Sequence, residues 1–177
     1  MNPNPSITIV LPACNEAASL KTLLPEIRRL YPQAEIILVD DGSIDDTARI
    51  GEEAGVRVHS HPYRIGNGAA VKTGARLATG DIVLFMDADG QHDPAYIQSL
   101  LDKLAEGYDM VVGARLKHTH ASLPRRWANT LYNRLASFMV GQPIADLTSG
   151  LRAVRAAKLR EFLYLLPNGF SYPTTVT

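Results

Sequence analysis

Short aliphatic and β-branched runs alternate along this chain with stretches whose apolar residues recur every three or four positions. Ser6–Leu11, Ala34–Val39, Val56–His59, Ile82–Met86 and Asp109–Val112 read as strands. Helical spacing marks Ala17–Leu30 (Leu20, Leu23, Leu24, Ile27, Leu30) and Ala95–Ala105 (Ile97, Leu100, Leu101, Leu104). Two shorter helices are predicted over Thr47–Ala54 and Ala69–Ala78. Strand and helix alternate with no hairpin signal in the first half. That order predicts an α/β fold, a mostly parallel twisted sheet covered by helices on both faces. After Leu123 the pattern shifts to an amphipathic helix carrying Trp127, Leu131, Leu135, Phe138 and Met139, whose plainest role is to face the core. A strand-like piece, Ala153–Arg155, and a helix, Ala156–Leu163, lead to a polar end, with no internal repeat.

The breaks between these elements carry the polar residues that matter. The first strand stops at Pro12-Ala13-Cys14-Asn15-Glu16, where Asn15 is placed either to cap the next helix or to line a ligand loop. The second runs into Asp40-Asp41-Gly42-Ser43, with Asp45 or Asp46 as helix cap and Asp40/Asp41 at the strand end. Carboxylates there can accept hydrogen bonds from a base N–H or ribose hydroxyls. The loop His61–Gly68 has two glycines. It lacks the third glycine of a dinucleotide loop, and Lys72 lacks the Walker surroundings, so alone it reads as a flexible turn.

The chemistry concentrates in Asp81–Pro94. A buried strand there ends in Asp87-Ala88-Asp89-Gly90-Gln91. Two carboxylates one residue apart at a strand end are costly without a positive partner. Oxygen ligands from Asp87, Asp89 and Gln91 suit Mg²⁺ or Mn²⁺ with positions left for phosphate oxygens. Asp93-Pro94 reads as a helix cap followed by Pro at the first helical position, which leaves Asp87 and Asp89 unexplained. A calcium-binding EF-hand loop fails on spacing: Gly90 is fourth from Asp87 and Gln98 stands twelfth, where that loop needs Gly sixth and Glu twelfth. Arg115, after the strand Asp109–Val112, suits phosphate oxygens. His118 and His120 fall in a polar loop and read as solvated.

Composition narrows the class. Lys plus Arg (18) equals Asp plus Glu (18), so no polyanion-binding role follows and no nucleic-acid partner is expected. Cys14 is the only cysteine, which excludes an internal disulfide and a cysteine zinc cluster and fits a reducing compartment. No run approaches the roughly 20 apolar residues of a membrane span, and no signal peptide opens the chain, so a soluble piece is expected.

Six motifs occur in order: V-L-P-A-C-N-E (Val10–Glu16), V-D-D-G-S-x-D-D-T (Val39–Thr47), G-N-G-A-A-V-K-T-G (Gly66–Gly74), D-A-D-G-Q-H-D-P (Asp87–Pro94), G-A-R (Gly113–Arg115) and D-L-T-S-G-L-R (Asp146–Arg152). The series resembles the family 2 inverting glycosyltransferases with the glycosyltransferase-A fold, and within them the dolichyl- or polyprenyl-phosphate sugar synthases. That resemblance implies a single catalytic domain over residues 1–177, with a nucleotide-binding half (1–115) and an acceptor-side half (116–177). It implies that Pro12, Asn15, Glu16, Asp40 and Asp41 border the nucleoside, and that Gly66, Asn67, Gly68, Ala69, Asp87 and Ala88 lie along the nucleotide. Asp87, Asp89 and Gln91 would hold the metal and Arg115 the phosphates, making Asp87, Asp89 and Arg115 the catalytic set. Ser149 and Arg152 would shape the acceptor side, with Arg125, Arg126 and Arg134 near a membrane-surface phosphate.

The implied reaction moves a sugar from a GDP- or UDP-sugar to a lipid phosphate at the cytoplasmic face of a membrane, by displacement with inversion. A lipid phosphate, already ionised, needs little help from a base; a sugar hydroxyl would need one, with Asp146 and Asp93 as candidates. Many relatives carry an acidic residue after Gly169-Phe170-Ser171, where this chain reads Y-P-T-T-V-T and stops, so truncation at the C-terminus is expected. A nucleotide-sugar-binding module without turnover is the alternative. A nucleotidyltransferase would want a glycine- and Lys/Arg-rich loop after the first strand, which P-A-C-N-E is not.

Overall fold

Alternate residues of the first strand face opposite ways, and each face finds its own helices. The computed structural model describes residues 5–113 and 149–168. Six strands, β1 (Ile7–Ala13), β2 (Glu35–Asp40), β3 (Arg57–Ser60), β4 (Ile82–Phe85), β5 (Met110–Val112) and β6 (Arg152–Arg155), form one sheet in the order β3-β2-β1-β4-β6-β5. Ile9 and Leu11 of β1 join Ile36, Leu38, Leu84 and Met86 beneath α1 (Ala17–Leu30) and α4 (Ile97–Ala105). Val10 joins Ile37, Val39, Val83 and Phe85 on the other face, beneath α3 (Asn67–Leu77) and α5 (Ala156–Phe162). With α2 (Thr47–Glu53) on the first face, the expected two-sided α/β sheet is present. Burial of about ten such aliphatic side chains per face, at roughly 1.5–3 kcal/mol each, is the main favourable term holding the layers together.

The β1–β2, β1–β4 and β2–β3 pairings are parallel, whereas β6 is antiparallel to both β4 and β5. The residue pattern had not indicated that insertion. It places a strand from the chain's last third between two strands of its first two thirds. Because β6 runs backwards, its first residue, Arg152, pairs with the last residue of β4, Phe85. Ser149 and Gly150 therefore reach the same sheet edge as the carboxyl ends of the parallel strands.

Strand boundaries shift for a reason visible in Pro12. The run was expected to stop at Leu11, yet β1 continues to Ala13, pairing Pro12 with Val39 and Ala13 with Asp40. Toward β2 the rung is closed by Ala13, whose carbonyl accepts the Asp41 N–H at 2.8 Å. Toward β4 the last rung is Met86 N–H to the Val10 carbonyl at 3.1 Å. The next would need an N–H from Pro12, which has none. Pairing ends there, so β4 stops at Phe85 rather than Met86 and the chain leaves the sheet at Asp87.

Candidate functional site

The carboxyl ends of β1, β2 and β4 coincide, so Asp40, Asp41 and the Asp87–Gln91 turn stand along one edge, with Ser149–Arg152 arriving from β6. Gly113, at the end of β5, donates its N–H to the Leu151 carbonyl at 2.9 Å and joins the same edge. Arg115, Arg125, Arg126 and Arg134 lie outside the described residues, as do His118, His120, the Trp127 helix, Asp146 and the Gly169–Ser171 motif.

Asp41 is engaged by three donors at its carboxylate. It is 3% exposed. Oδ1 accepts from the Ile65 N–H at 2.9 Å and lies 2.8 Å from His61 Nδ1, and Oδ2 accepts from the Gly66 N–H at 2.8 Å. Burial works against its charge, but these hydrogen bonds outweigh that cost and hold its pKa below the ordinary Asp range. His61 Nε2 lies 2.9 Å from Thr73 Oγ1. A neutral imidazole protonated at Nδ1 satisfies both contacts, donating to Asp41 and accepting from Thr73. The residue pattern did not single out His61, although a histidine directly after a strand end and before a glycine loop was the available signal.

The same loop crosses over Gly42, whose φ is +68°. A Cβ there would lie 2.5 Å from the Tyr63 carbonyl carbon and 2.6 Å from Arg64 N, so only glycine admits the crossing. The His61–Gly68 segment is thus clamped, not the flexible turn its glycines suggested. It delivers Gly66 (φ +132°) to the start of α3, where Asn67, Gly68 and Ala69 form the first turn. Ala69 donates to the Asn168 carbonyl at 3.0 Å, and Lys72 Nζ to the Leu166 carbonyl at 2.9 Å, so both bind the end of the described chain.

Asp40 is 5% exposed, and its carboxylate accepts one hydrogen bond, from the Ser43 N–H to Oδ1 at 3.0 Å. Asn15 does not cap α1. It sits at φ +60°, its Oδ1 accepts from the Ile44 N–H at 2.9 Å, and its N–H donates to Ser43 Oγ at 2.9 Å. The cap comes from the neighbouring loop instead. Asp45 Oδ2 accepts the Ala17 N–H at 3.1 Å and Thr47 Oγ1 accepts the Glu16 N–H at 2.8 Å. Asp45 also caps α2 through the Thr47 N–H at 3.0 Å, while Asp46 pairs with Arg49. Glu16 accepts from Ser19 Oγ at 3.2 Å, and Pro12 is buried within β1.

In the acidic turn, Asp87 is half-buried, Ala88 is buried, and Asp89 and Gln91 are exposed. Asp89 Oδ1 accepts the Gln91 N–H at 2.9 Å, which folds the turn. Asp93 caps the following helix, accepting from the Ala95 N–H at 2.8 Å, as its Asp-Pro sequence predicts, and is thereby less suited to a base. Among the described residues no three His, Cys, Asp or Glu converge as a metal cage. Two carboxylates at an open edge still fit a Mg²⁺ or Mn²⁺ that takes its other ligands from phosphate and water. Arg152 is buried rather than open to an acceptor, donating to the Ser149 carbonyl, and Ser149 is fully buried. Both hold the turn that leads into β6.

The family model described as Glycosyl transferase family 2 matches residues 8–163. The undecaprenyl-phosphate 4-deoxy-4-formamido-L-arabinose transferase of Klebsiella pneumoniae (strain 342) is 36% identical over 163 residues, covering 86% of this chain and 50% of its own. The dolichyl-phosphate hexose transferase of Haloferax volcanii is 32% identical, with 93% and 73% covered. The chain thus spans about half the length of the first of these relatives. Among solved structures, glucosyl-3-phosphoglycerate synthase of Mycobacterium tuberculosis, in complex with Mn²⁺ and UDP-glucose, superposes with a TM-score of 0.75 at 27% identity, covering 97% of this chain and 62% of that one.

Proposed function

Because this chain belongs to glycosyl transferase family 2, we propose that it forms the catalytic domain of an enzyme that moves a sugar from a nucleotide-diphosphate sugar to a polyprenyl phosphate. The single observation that carries this reading is the shared sheet edge of Asp40, Asp87 and Asp89. With β1 the one strand between β2 and β4, a single donor would lie along that edge, its nucleoside at β2 and its diphosphate at β4. The polyprenyl acceptor is favoured over a small phosphorylated acid because the relatives named for lipid phosphates reach 36% identity, against 27% for the phosphoglycerate enzyme. The site then belongs at the cytoplasmic face of a membrane; no helix among the described residues is long and apolar enough to cross one.

Within this reading Asp40 meets the base or ribose, since Asp41 is already engaged by three donors and Asp40 by one. Asp41 instead sets the path of the loop into Gly66–Ala69, along which the nucleotide lies, beside Pro12, Asn15 and Glu16. Asp87 and Asp89, with Gln91, hold a divalent cation, and Arg115 takes diphosphate oxygens. The cation supplies neutralisation of the charge that develops on the departing nucleoside diphosphate. An acceptor phosphate oxygen bonds to the anomeric carbon as the bond to the diphosphate oxygen breaks on the opposite side, which inverts the centre. No proton need be removed, so no dedicated base is required.

Calorimetry of UDP- and GDP-sugars with Mn²⁺ or chelator, followed by a transfer assay to polyprenyl phosphate, tests this. Binding of one nucleotide class that weakens at least about tenfold with chelator or in Asp89→Ala is expected, together with lipid-linked product. Binding unaffected by chelator overturns the metal site. Metal-dependent binding without any product identifies a nucleotide-sugar-binding module instead.

A further inference from the structure

Gly150 touches the turn's first carboxylate more closely than any side chain would permit. A Cβ built there meets Oδ2, Cγ and Oδ1 of Asp87 as its three nearest atoms, and even the most distant of them, Oδ1, lies only 2.5 Å away. We propose that Gly150 is a positioning residue: its bare backbone fixes where the Asp87 carboxylate sits, and so sets the geometry of the metal site. The proposal rests on the reading of Asp87 as a metal ligand.

Which side yields to an added methyl decides the consequence. The Gly150 turn is clamped from several directions. Leu151 donates its N–H to Ser149 Oγ at 3.2 Å, closing the turn around Gly150. The buried Arg152 guanidinium donates to the Ser149 carbonyl, and Gly113 donates to the Leu151 carbonyl at 2.9 Å. Ser149 has no exposed surface, and Leu151 has 3%. Backing away would break a buried hydrogen-bonded turn, at about 1–3 kcal/mol per orphaned group. The Asp87 carboxylate ends a short side chain, whose two torsions let it turn without any movement of the backbone. A methyl at position 150 therefore leaves the sheet in place and turns the carboxylate away from its working position. The β6 turn and the acidic turn of β4 are in this way one unit, so the reversed strand fixes a ligand it does not itself carry.

The test uses Mn²⁺ with UDP as probe. In Gly150→Ala, Mn²⁺ affinity in the presence of UDP falls about tenfold or more, while circular dichroism and metal-free UDP binding stay at wild-type levels. In an Asp87→Ala background, which removes all three atoms the methyl meets, Gly150→Ala causes no further loss. Wild-type Mn²⁺ affinity in Gly150→Ala overturns the proposal. If the single variant fails to fold, folding of Asp87→Ala/Gly150→Ala supports it, and failure of both overturns it. Asp89→Ala keeps the two ideas separable: undiminished Mn²⁺ binding there rejects the metal site itself, whatever Gly150→Ala does.

Discussion

Asp41 and Asp87 look alike in the sequence, each within two positions of a second Asp just past an apolar run, yet their surroundings set them apart. Asp41 is buried and fixes a loop; Asp87 is half-buried and abuts Gly150. Asp41→Ala leaves the Ile65 and Gly66 N–H groups and His61 without their acceptor, and is expected to cost about 2 kcal/mol in urea unfolding. Its pH behaviour follows from a folded pKa below the ordinary value. The stabilisation from Asp41 is complete above the unfolded carboxylate pKa of about 3.9 and fades as pH falls through the lower folded value. Wild type should therefore lose stability in that acidic window more steeply than Asp41→Ala; parallel curves would show that the carboxylate is not what holds the loop. The acid pairs, Asp93 as a cap and the strand-end placement were legible from residue order. The division of labour between Asp40 and Asp41 was not, because it depends on His61, Ile65 and Gly66, which lie twenty or more positions away.

At the scale of elements, residue order located the six strands and five α-helices of the described residues, with ends displaced by a residue or two where a partner decided them, but not the short 3-10 turn Leu163–Leu165. Pro12 stops pairing on one side of β1 and not on the other, a distinction that exists only once its neighbours are known. The start of α1 makes the same point, since Asp45 and Thr47 of the next loop serve as its caps in place of Asn15. Contact between α3 and the sheet rests on Gly74, where a Cβ would run into the side chain of Val10, its Cγ2 at 3.2 Å among the atoms met. Gly74→Ala is favoured by about 1 kcal/mol from helix propensity but overpacks a fully buried neighbour. A net loss of about 1–2 kcal/mol is expected in chemical denaturation. Val10→Ala opens the space, so the double variant should lose less than the sum of the two single changes; simple additivity would mean the helix shifts instead.

For the molecule as a whole, two apolar layers hold the sheet, and the carboxylates of the acidic edge are not among their members. Chelator alone is expected to leave the melting temperature unchanged. UDP with Mn²⁺ at a hundred times its dissociation constant should add about 2.7 kcal/mol, a rise of roughly 5–10 °C for a chain of this size. A fall in melting temperature with chelator alone would make the cation structural. Alternation of strands and helices, their two-sided burial and the identity of the acidic turn followed from residue order, because period and chemistry are local properties. The reversal of β6, the clamping of the glycine loop and the contact of Gly150 with Asp87 did not. Each is a meeting of segments distant in the chain, and which segments meet is decided by closing a core on both faces of the sheet, a condition no single stretch contains.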